Sequence, residues 1–235
     1  MKILGIDSSA KSASVAVTEN GKILSSFYIN TGLTHSQTLM PMLESVVRYA
    51  GLTVNDLDLI AVNKGPGSFT GIRIGVAAAK GLADTMSIKI SGVSTLESMA
   101  YNLISSDCVV ASVMDARCSQ VYTALFRVCN NQVTRLTDDS AITISELKEI
   151  LLKLNDESII LVGDGADLCF KVFSDELKNI KVASQANKYQ NAVSVCLAAE
   201  RKNQSEYIDS SQLVPDYLRL PQAERELKNK LRKGE

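Results

Sequence analysis

The chain has 235 residues, 46% of them apolar and 22% charged, with a formal net charge of −1. That length suits one large domain or two small ones sharing an interface, and the apolar fraction is that of a globular protein. No apolar run approaches a membrane span, and a near-neutral chain lacks the basic face that holds nucleic acid unaided. Met1 leads straight into a strand pattern without a basic-then-apolar leader, so no secretory signal is expected. The five cysteines are odd in number, scattered and never in a C-x-x-C pair. They read as buried reduced thiols of a cytosolic protein, and a zinc site is not expected.

Residues 2–7 read as a buried strand that delivers Asp7 to its C-terminal end, followed by a polar turn with Ser8, Ser9 and Ser12. Residues 14–18 and 22–29 read as two more strands joined by Asn20-Gly21, a type I′ hairpin signal. The period then changes. Leu39, Met42, Leu43, Val46 and Val47 fit an amphipathic helix. Thr34 with Gln37 suits a capping box, Pro41 would bend the helix or delay its start, and Gly51 closes it. An apolar strand over 57–62 leads into Gly65-Pro66-Gly67-Ser68-Phe69-Thr70-Gly71, a strand-to-helix turn with Ser68 or Thr70 as N-cap. On the helix that follows, Gly71, Gly75 and Ala79 recur every fourth residue and so share one face. That bare stripe has two readings, packing within the chain or a face on which a second polypeptide lies. A strand over 89–93 and a helix capped by Ser94 complete a βββαβαβα order.

The pattern restarts near residue 106. Residues 109–114 read as a strand ending in Asp115, 120–128 and 132–136 as two more, and Ser145 as the cap of a helix carrying Leu147, Ile150 and Leu151. A strand over 158–162 runs into Gly163-Asp164-Gly165, then a helix to about 173, a short strand over 181–183 and a helix over 191–202. Residues 214–219 read as an extended segment laid on the surface, before a basic tail with Lys228, Lys230, Arg232 and Lys233. The second half therefore repeats the elements of the first, and the expected units are 1–105 and 106–235.

No complete active site assembles from these residues. Asp7, at a strand end beside hydroxyls, suits either a magnesium ion held through water or a local turn cap. One histidine, His35, cannot supply the converging ligands of a metallohydrolase. No G-x-S-x-G elbow or Walker lysine accompanies the glycines. Arg73 and Lys80 suit an acidic partner or a solvated helix face, and Asp115-Ala116-Arg117 a local ion pair or a functional contact.

Taken together, Gly5-Ile6-Asp7-Ser8-Ser9, the stretch from Gly65 to Gly75, Met114-Asp115-Ala116-Arg117 and Pro215-Asp216-Tyr217-Leu218-Arg219 resemble the TsaB (YeaZ) family. The resemblance implies an α/β fold of two tandem ribonuclease-H-like units, of the actin, sugar-kinase and Hsp70 type. It implies a part in bacterial synthesis of threonylcarbamoyladenosine (t6A), next to the anticodon of ANN-decoding tRNAs, as a non-catalytic partner of a TsaD-like paralogue joined by a TsaE-like ATPase. The paralogues carry Gly-Val-Asn-His-x-x-x-His, whose histidines bind the catalytic metal; the similar segment here is Gly92-Val93-Ser94-Thr95-Leu96-Glu97-Ser98-Met99. Thr95 and Met99 stand at the ligand positions and neither replaces imidazole, so no metal site is expected.

The expected role is thus a cytoplasmic scaffold, with no catalytic residue and no cofactor of its own. Its partner face is expected on the first two helices: His35, Leu39, Met42, Leu43, Val46, Gly71, Arg73, Gly75, Ala78, Ala79 and Leu82. The same helices would pair two copies when the partner is absent, and tRNA would be met only inside the complex. The rival reading is an ATPase or small-molecule phosphotransferase of the same fold. Asp7, Ser9, Gly67, Gly163 and Gly165 would then surround a nucleotide that the scaffold binds weakly or as a remnant.

Overall fold

The computed structural model describes residues 1–154 and 156–219; the basic tail singled out above lies outside them. Strands β1 (Lys2–Asp7), β2 (Ala13–Glu19) and β3 (Lys22–Ile29) form an antiparallel meander. Its Asn20-Gly21 turn has φ of 48° and 77°, as a type I′ turn requires. Helix α1 (His35–Tyr49), strand β4 (Leu59–Gly65), helix α2 (Phe69–Met86), strand β5 (Lys89–Ser94) and helix α3 (Thr95–Ala100) follow. The sheet runs β3-β2-β1-β4-β5, with β4 parallel to both β1 and β5.

The second half comprises β6 (Cys108–Arg117), β7 (Gln120–Cys129), β8 (Gln132–Arg135), β9 (Ser140–Thr143), α4 (Ile144–Leu152), β10 (Ile159–Val162), α5 (Ala166–Phe173), β11 (Ile180–Val182), α6 (Gln185–Lys188) and α7 (Ala192–Glu200). Its sheet runs β8-β7-β6-β10-β11, the path of the first sheet, with β9 added beside β7. The chain is α/β, two mixed sheets flanked by helices, and the same order of strands is used twice. Among the described residues no helix is long and apolar enough to cross a membrane.

Four apolar layers hold the sheets together. The amphipathic stripe of α1 (Leu39, Leu43, Val46) and Ile72 and Val76 of α2 cover Leu4, Ile6, Val15 and Val17 on the outer face of the first sheet. Leu147 and Leu151 of α4, with Cys169 and Phe173 of α5, cover the outer face of the second. The inner faces are covered by exchanged helices. Leu96, Met99 and Ala100 of α3, from the first half, pack with Val110, Met114 and Phe126 of the second sheet. Val195, Cys196 and Ala199 of α7, from the second half, pack with Ile3 and Ala16 of the first. The chain then returns to the first sheet, where Ile208 bridges Ile90 and Leu213 is buried. Packing therefore crosses residue 105, although the repeat of elements begins there.

Several local expectations are corrected. Thr34 is the N-cap of α1 but makes no side-chain cap bond, so the Thr34–Gln37 box does not form. Pro41 lies inside α1 on its exposed side, and the buried stripe before and after it carries the helix through. Helix α4 is capped by Thr143, in a capping box with Glu146, and Ser145 lies inside the helix. The alternation of 140–143 is too short to have marked β9. All five cysteines are free, but Cys118 and Cys129 are exposed.

Close approach of α7 to β1 depends on Gly5, where an added Cβ would stand 2.5 Å from both the Ala192 carbonyl oxygen and Cys196 Sγ. Gly5→Ala is expected to cost about 2–3 kcal/mol by pushing α7 off the sheet. Urea unfolding of the purified variant measures it.

Candidate functional site

Strand β1 carries Asp7 to the point where β1, β4 and α3 meet. The carboxylate is 1% exposed. Its Oδ1 accepts the Ser9 amide and hydroxyl, each at 2.8 Å, and its Oδ2 accepts the Asn63 side-chain amide at 2.6 Å. Asn63 Nδ2 also donates to Ser98 Oγ at 3.0 Å, so the network ties β1 to β4 and α3. Burial raises the Asp7 pKa above the ordinary 3.8, and the hydrogen bonds and the nearby His35 offset this only in part. Both oxygens are engaged by protein donors, and Asp7 does not line the cleft described below. The turn-cap reading of Asp7 describes this geometry.

The turn after Asp7 is threaded into the starts of α1 and α2. Ser8 Oγ donates to the Gly71 carbonyl at 2.8 Å, the Ser68 amide donates to the Ser9 carbonyl at 2.7 Å, and His35 Nε2 meets the Ala10 carbonyl at 2.7 Å. A Cβ at Gly71 would overlap the Ser8 carbonyl, and one at Gly75 the Ser8 hydroxyl. The stripe of Gly71, Gly75 and Ala79 is therefore buried against the chain's own turn and sheet. Of its two readings, packing within the chain is the one this burial fits. Leu39, Met42, Leu43 and Val46 are buried as well, since an amphipathic helix spends its apolar stripe on its own sheet.

The outward surface lies one column over. Ile74, Ala78 and Leu82, with the same four-residue spacing, are half-buried. With exposed Met40 and Pro41, and with Val47, Leu52 and Val54, Leu82 lines an apolar groove of about 600 Å³ between α1 and α2. Glu44 and Arg48 stand on its edge. Arg73 is exposed but engaged: its Nε donates to Tyr217 Oη at 2.8 Å and its guanidinium lies 3.9 Å over the Phe69 ring.

A larger cleft of about 910 Å³ opens between the two halves. Its walls are the 9–11 turn, the start of α1, residues 66–71, the β6–β7 hairpin, Asp164 and the segment 216–219. Lys11, Arg117 and Arg219 face it together with Asp115, Asp164 and Asp216, a mixed lining with no sustained positive field. The structure thus brings Ser9 and Gly67 into this lining; Gly163 and Gly165 sit behind Asp164, against the Val113 carbonyl. Asp115 Oδ1 accepts the Arg117 backbone amide at 2.7 Å.

Thr95, the first residue of α3, and Met99, near its end, are fully buried. Met99 packs in the apolar layer under the second sheet, and the Thr95 hydroxyl has no partner among the described residues. Sequence reasoning missed Asn63 and Ser98, whose side chains complete the Asp7 network. An asparagine inside an otherwise apolar strand was the available signal. It also missed that residues 210–219 bind along α2, because extended segments carry no periodicity to assign them to a neighbour.

Comparisons agree with this architecture. The family model described as TsaD: tRNA N6-adenosine threonylcarbamoyltransferase matches residues 30–227. A Bacillus subtilis (strain 168) relative, "tRNA threonylcarbamoyladenosine biosynthesis protein TsaB", is 34% identical over 227 residues, which are 95% of this chain and 96% of that one. An Escherichia coli (strain K12) relative of the same description is 30% identical over 167 residues, covering 70% of this chain and 72% of that one. Among solved structures, YeaZ from Pseudomonas aeruginosa superposes with a TM-score of 0.76 at 22% identity, over 92% of this chain and 99% of that one. A ROK hexokinase from Thermus thermophilus reaches 0.51 at 12% identity, over 85% and 99%, a likeness of fold alone.

Two substitutions test the Asp7 turn. Asp7→Ala leaves the Ser9 and Asn63 donors buried without an acceptor and is expected to cost about 2–4 kcal/mol. Asp7→Asn keeps an oxygen for Ser9, and a flip of Asn63 offers its unpartnered Oδ1 to the new amide, so the loss should be smaller. The folded pKa of Asp7 is raised, so folding takes up a proton between 3.8 and the raised value. The wild type should therefore lose stability relative to Asp7→Asn as pH rises through that window, and the difference should shrink below 3.8. Urea melts of both proteins across acidic pH measure it.

Proposed function

This chain belongs to the TsaB (YeaZ) family of tRNA threonylcarbamoyladenosine biosynthesis proteins, and from that premise we propose that it is a non-catalytic scaffold for a TsaD-like paralogue. The observation that carries the reading is the apolar groove between α1 and α2, bordered by Met40, Val47 and Leu82. A partner helix laid there buries apolar surface that the chain's own fold leaves open. The docking residues are then Met40, Ala78 and Leu82, with Glu44 and Arg48 at the rim. The buried Leu39, Met42, Leu43 and Val46 support the helix from beneath. His35 acts from beneath as well, through its bond to Ala10.

The threonylcarbamoyl transfer itself belongs to the paralogue in this reading. Thr95 and Met99 stand where the resemblance places the paralogue's metal ligands, and a buried threonine and thioether offer a poor donor set for zinc or iron. The halves 1–105 and 106–235 are tandem copies of a ribonuclease-H-like unit, and the shared strand path supports this. A TsaE-like ATPase and tRNA join the assembled pair in the cytoplasm. Alone, the chain pairs with a second copy through the same groove. The rival ATPase or phosphotransferase reading draws less support, because Asp7 is bonded on both oxygens and does not line the cleft.

Reconstituted t6A synthesis with the paralogue and ATPase should fail without this chain. Met40→Asp and Leu82→Asp should each weaken the pair by about 2 kcal/mol, roughly thirtyfold in Kd, with an unchanged melting midpoint. Co-purification and titration calorimetry measure this. Normal pairing of both variants would place the surface elsewhere.

A further inference from the structure

The tip of the β2–β3 hairpin differs chemically from the other turns. Asn20-Gly21 is the one Asn-Gly pair in the sequence, and both residues are exposed. Glu19 and Lys22 pair across the turn, and the Gly21 amide has no hydrogen-bond acceptor among the described residues. An added Cβ at Gly21 would meet only Glu200 Oε2, at 3.6 Å, so the space around it is open. The Asn20 side chain is held in place. Its Oδ1 accepts a hydrogen bond from the Met1 nitrogen, and the Asn20 backbone amide donates to the Met1 carbonyl at 3.1 Å.

We propose that Asn20-Gly21 is a modification site at which the folded chain converts its own asparagine to aspartate and isoaspartate. The Gly21 nitrogen gives its proton to solvent base and attacks Asn20 Cγ. The new C–N bond closes a succinimide ring, and the Cγ–Nδ2 bond breaks as Nδ2 takes up a proton and leaves as ammonia. Water then opens the ring at either carbonyl. One opening yields aspartate, and the other yields isoaspartate, in which the main chain runs through Cβ. The sum is one water taken up and one ammonia released. Three features of the tip favour the reaction. The attacking nitrogen is unengaged, glycine has no side chain to crowd its approach, and the Met1 donor sits on the oxygen that gains negative charge as the nitrogen adds. The Asn130-Asn131 turn is the internal contrast. It is exposed and has the same left-handed backbone, with φ of 50° and 57°, but each asparagine there precedes a residue with a side chain.

The two products differ in consequence. Aspartate keeps the length of the turn. Isoaspartate adds a backbone atom and does not hold type I′ geometry. That loosens β3, the edge strand of the first sheet, on which α1 rests: Ser25 Oγ donates to the Val46 carbonyl, and the Phe27 ring lies 5.9 Å from that of Tyr49.

Peptide mapping of the full-length protein aged in warm, mildly alkaline buffer tests this. Acid should accumulate at residue 20 several-fold faster than at 130 or 131, as both products. The isoaspartate should accept methyl groups from S-adenosylmethionine when a protein isoaspartyl methyltransferase is added. Asn20→Gln, whose longer side chain closes a ring far less readily, should lose the signal at that position. The isoaspartate-bearing fraction should exchange its amides faster over 22–29 than the unaged chain. The same chain unfolded in urea supplies the reference rate. Conversion confined to the unfolded chain would overturn the proposal, since the hairpin would then protect Asn20. Equal rates at 20, 130 and 131 would do so too, as would acid at residue 20 without isoaspartate, because no succinimide would have formed. Unchanged exchange over 22–29 would overturn the effect on β3.

Discussion

A buried carboxylate with three donors fixes the geometry on which the other surfaces depend. Taking Asp7 out of water is costly, and only a full set of hydrogen bonds makes the charge tolerable there. Meeting that demand draws in Ser9 from the turn and Asn63 from β4, and through Asn63 the Ser98 hydroxyl of α3. The turn so held presents its own hydroxyl and carbonyls to α2 and to His35. The starts of both outer helices are thus set by one aspartate that touches neither the groove nor the cleft.

The second organising feature is the exchange of α3 and α7 between the halves. Each sheet would expose its inner face if the halves were cut apart at residue 105, because the helix covering it comes from the other half. Two sheets joined this way unfold together more readily than they separate. The cleft lies on the open side, where the segment 216–219 passes from one half to the other.

Apart from β9, the strands, their order along the chain and the Asn20-Gly21 hairpin turn were legible, because period-two alternation and an Asn-Gly pair act locally. Helix starts were less legible: Thr34 and Ser145 both precede suitable patterns, but neither forms a capping box, and α4 is boxed by Thr143 and Glu146 instead. The small-residue stripe was found, with its direction left open between two readings. Glycines at 71 and 75 report that something approaches α2 closely, and sequence spacing does not say whether it is another chain or the Ser8 turn sixty residues earlier. The Asp7 network was half-legible, since Asp7 and Ser9 are neighbours whereas Asn63 and Ser98 reach it only through the fold.

The same helix shows why direction matters for function. Consecutive residues on a helix point about 100° apart, so a column shifted by one position faces a different neighbour. On α2 the column 71, 75, 79 is sealed against β1 and its turn, and the column 74, 78, 82 lies half-open beside α1. The first column must be small for the turn to fit, which brings α2 down onto the sheet. Of the second column, Leu82 lines the groove with Met40 and Val47, and Ile74 lines the cleft between the halves. The glycines thus shape the outward surface from behind, by setting the depth at which the neighbouring column meets whatever lies against it.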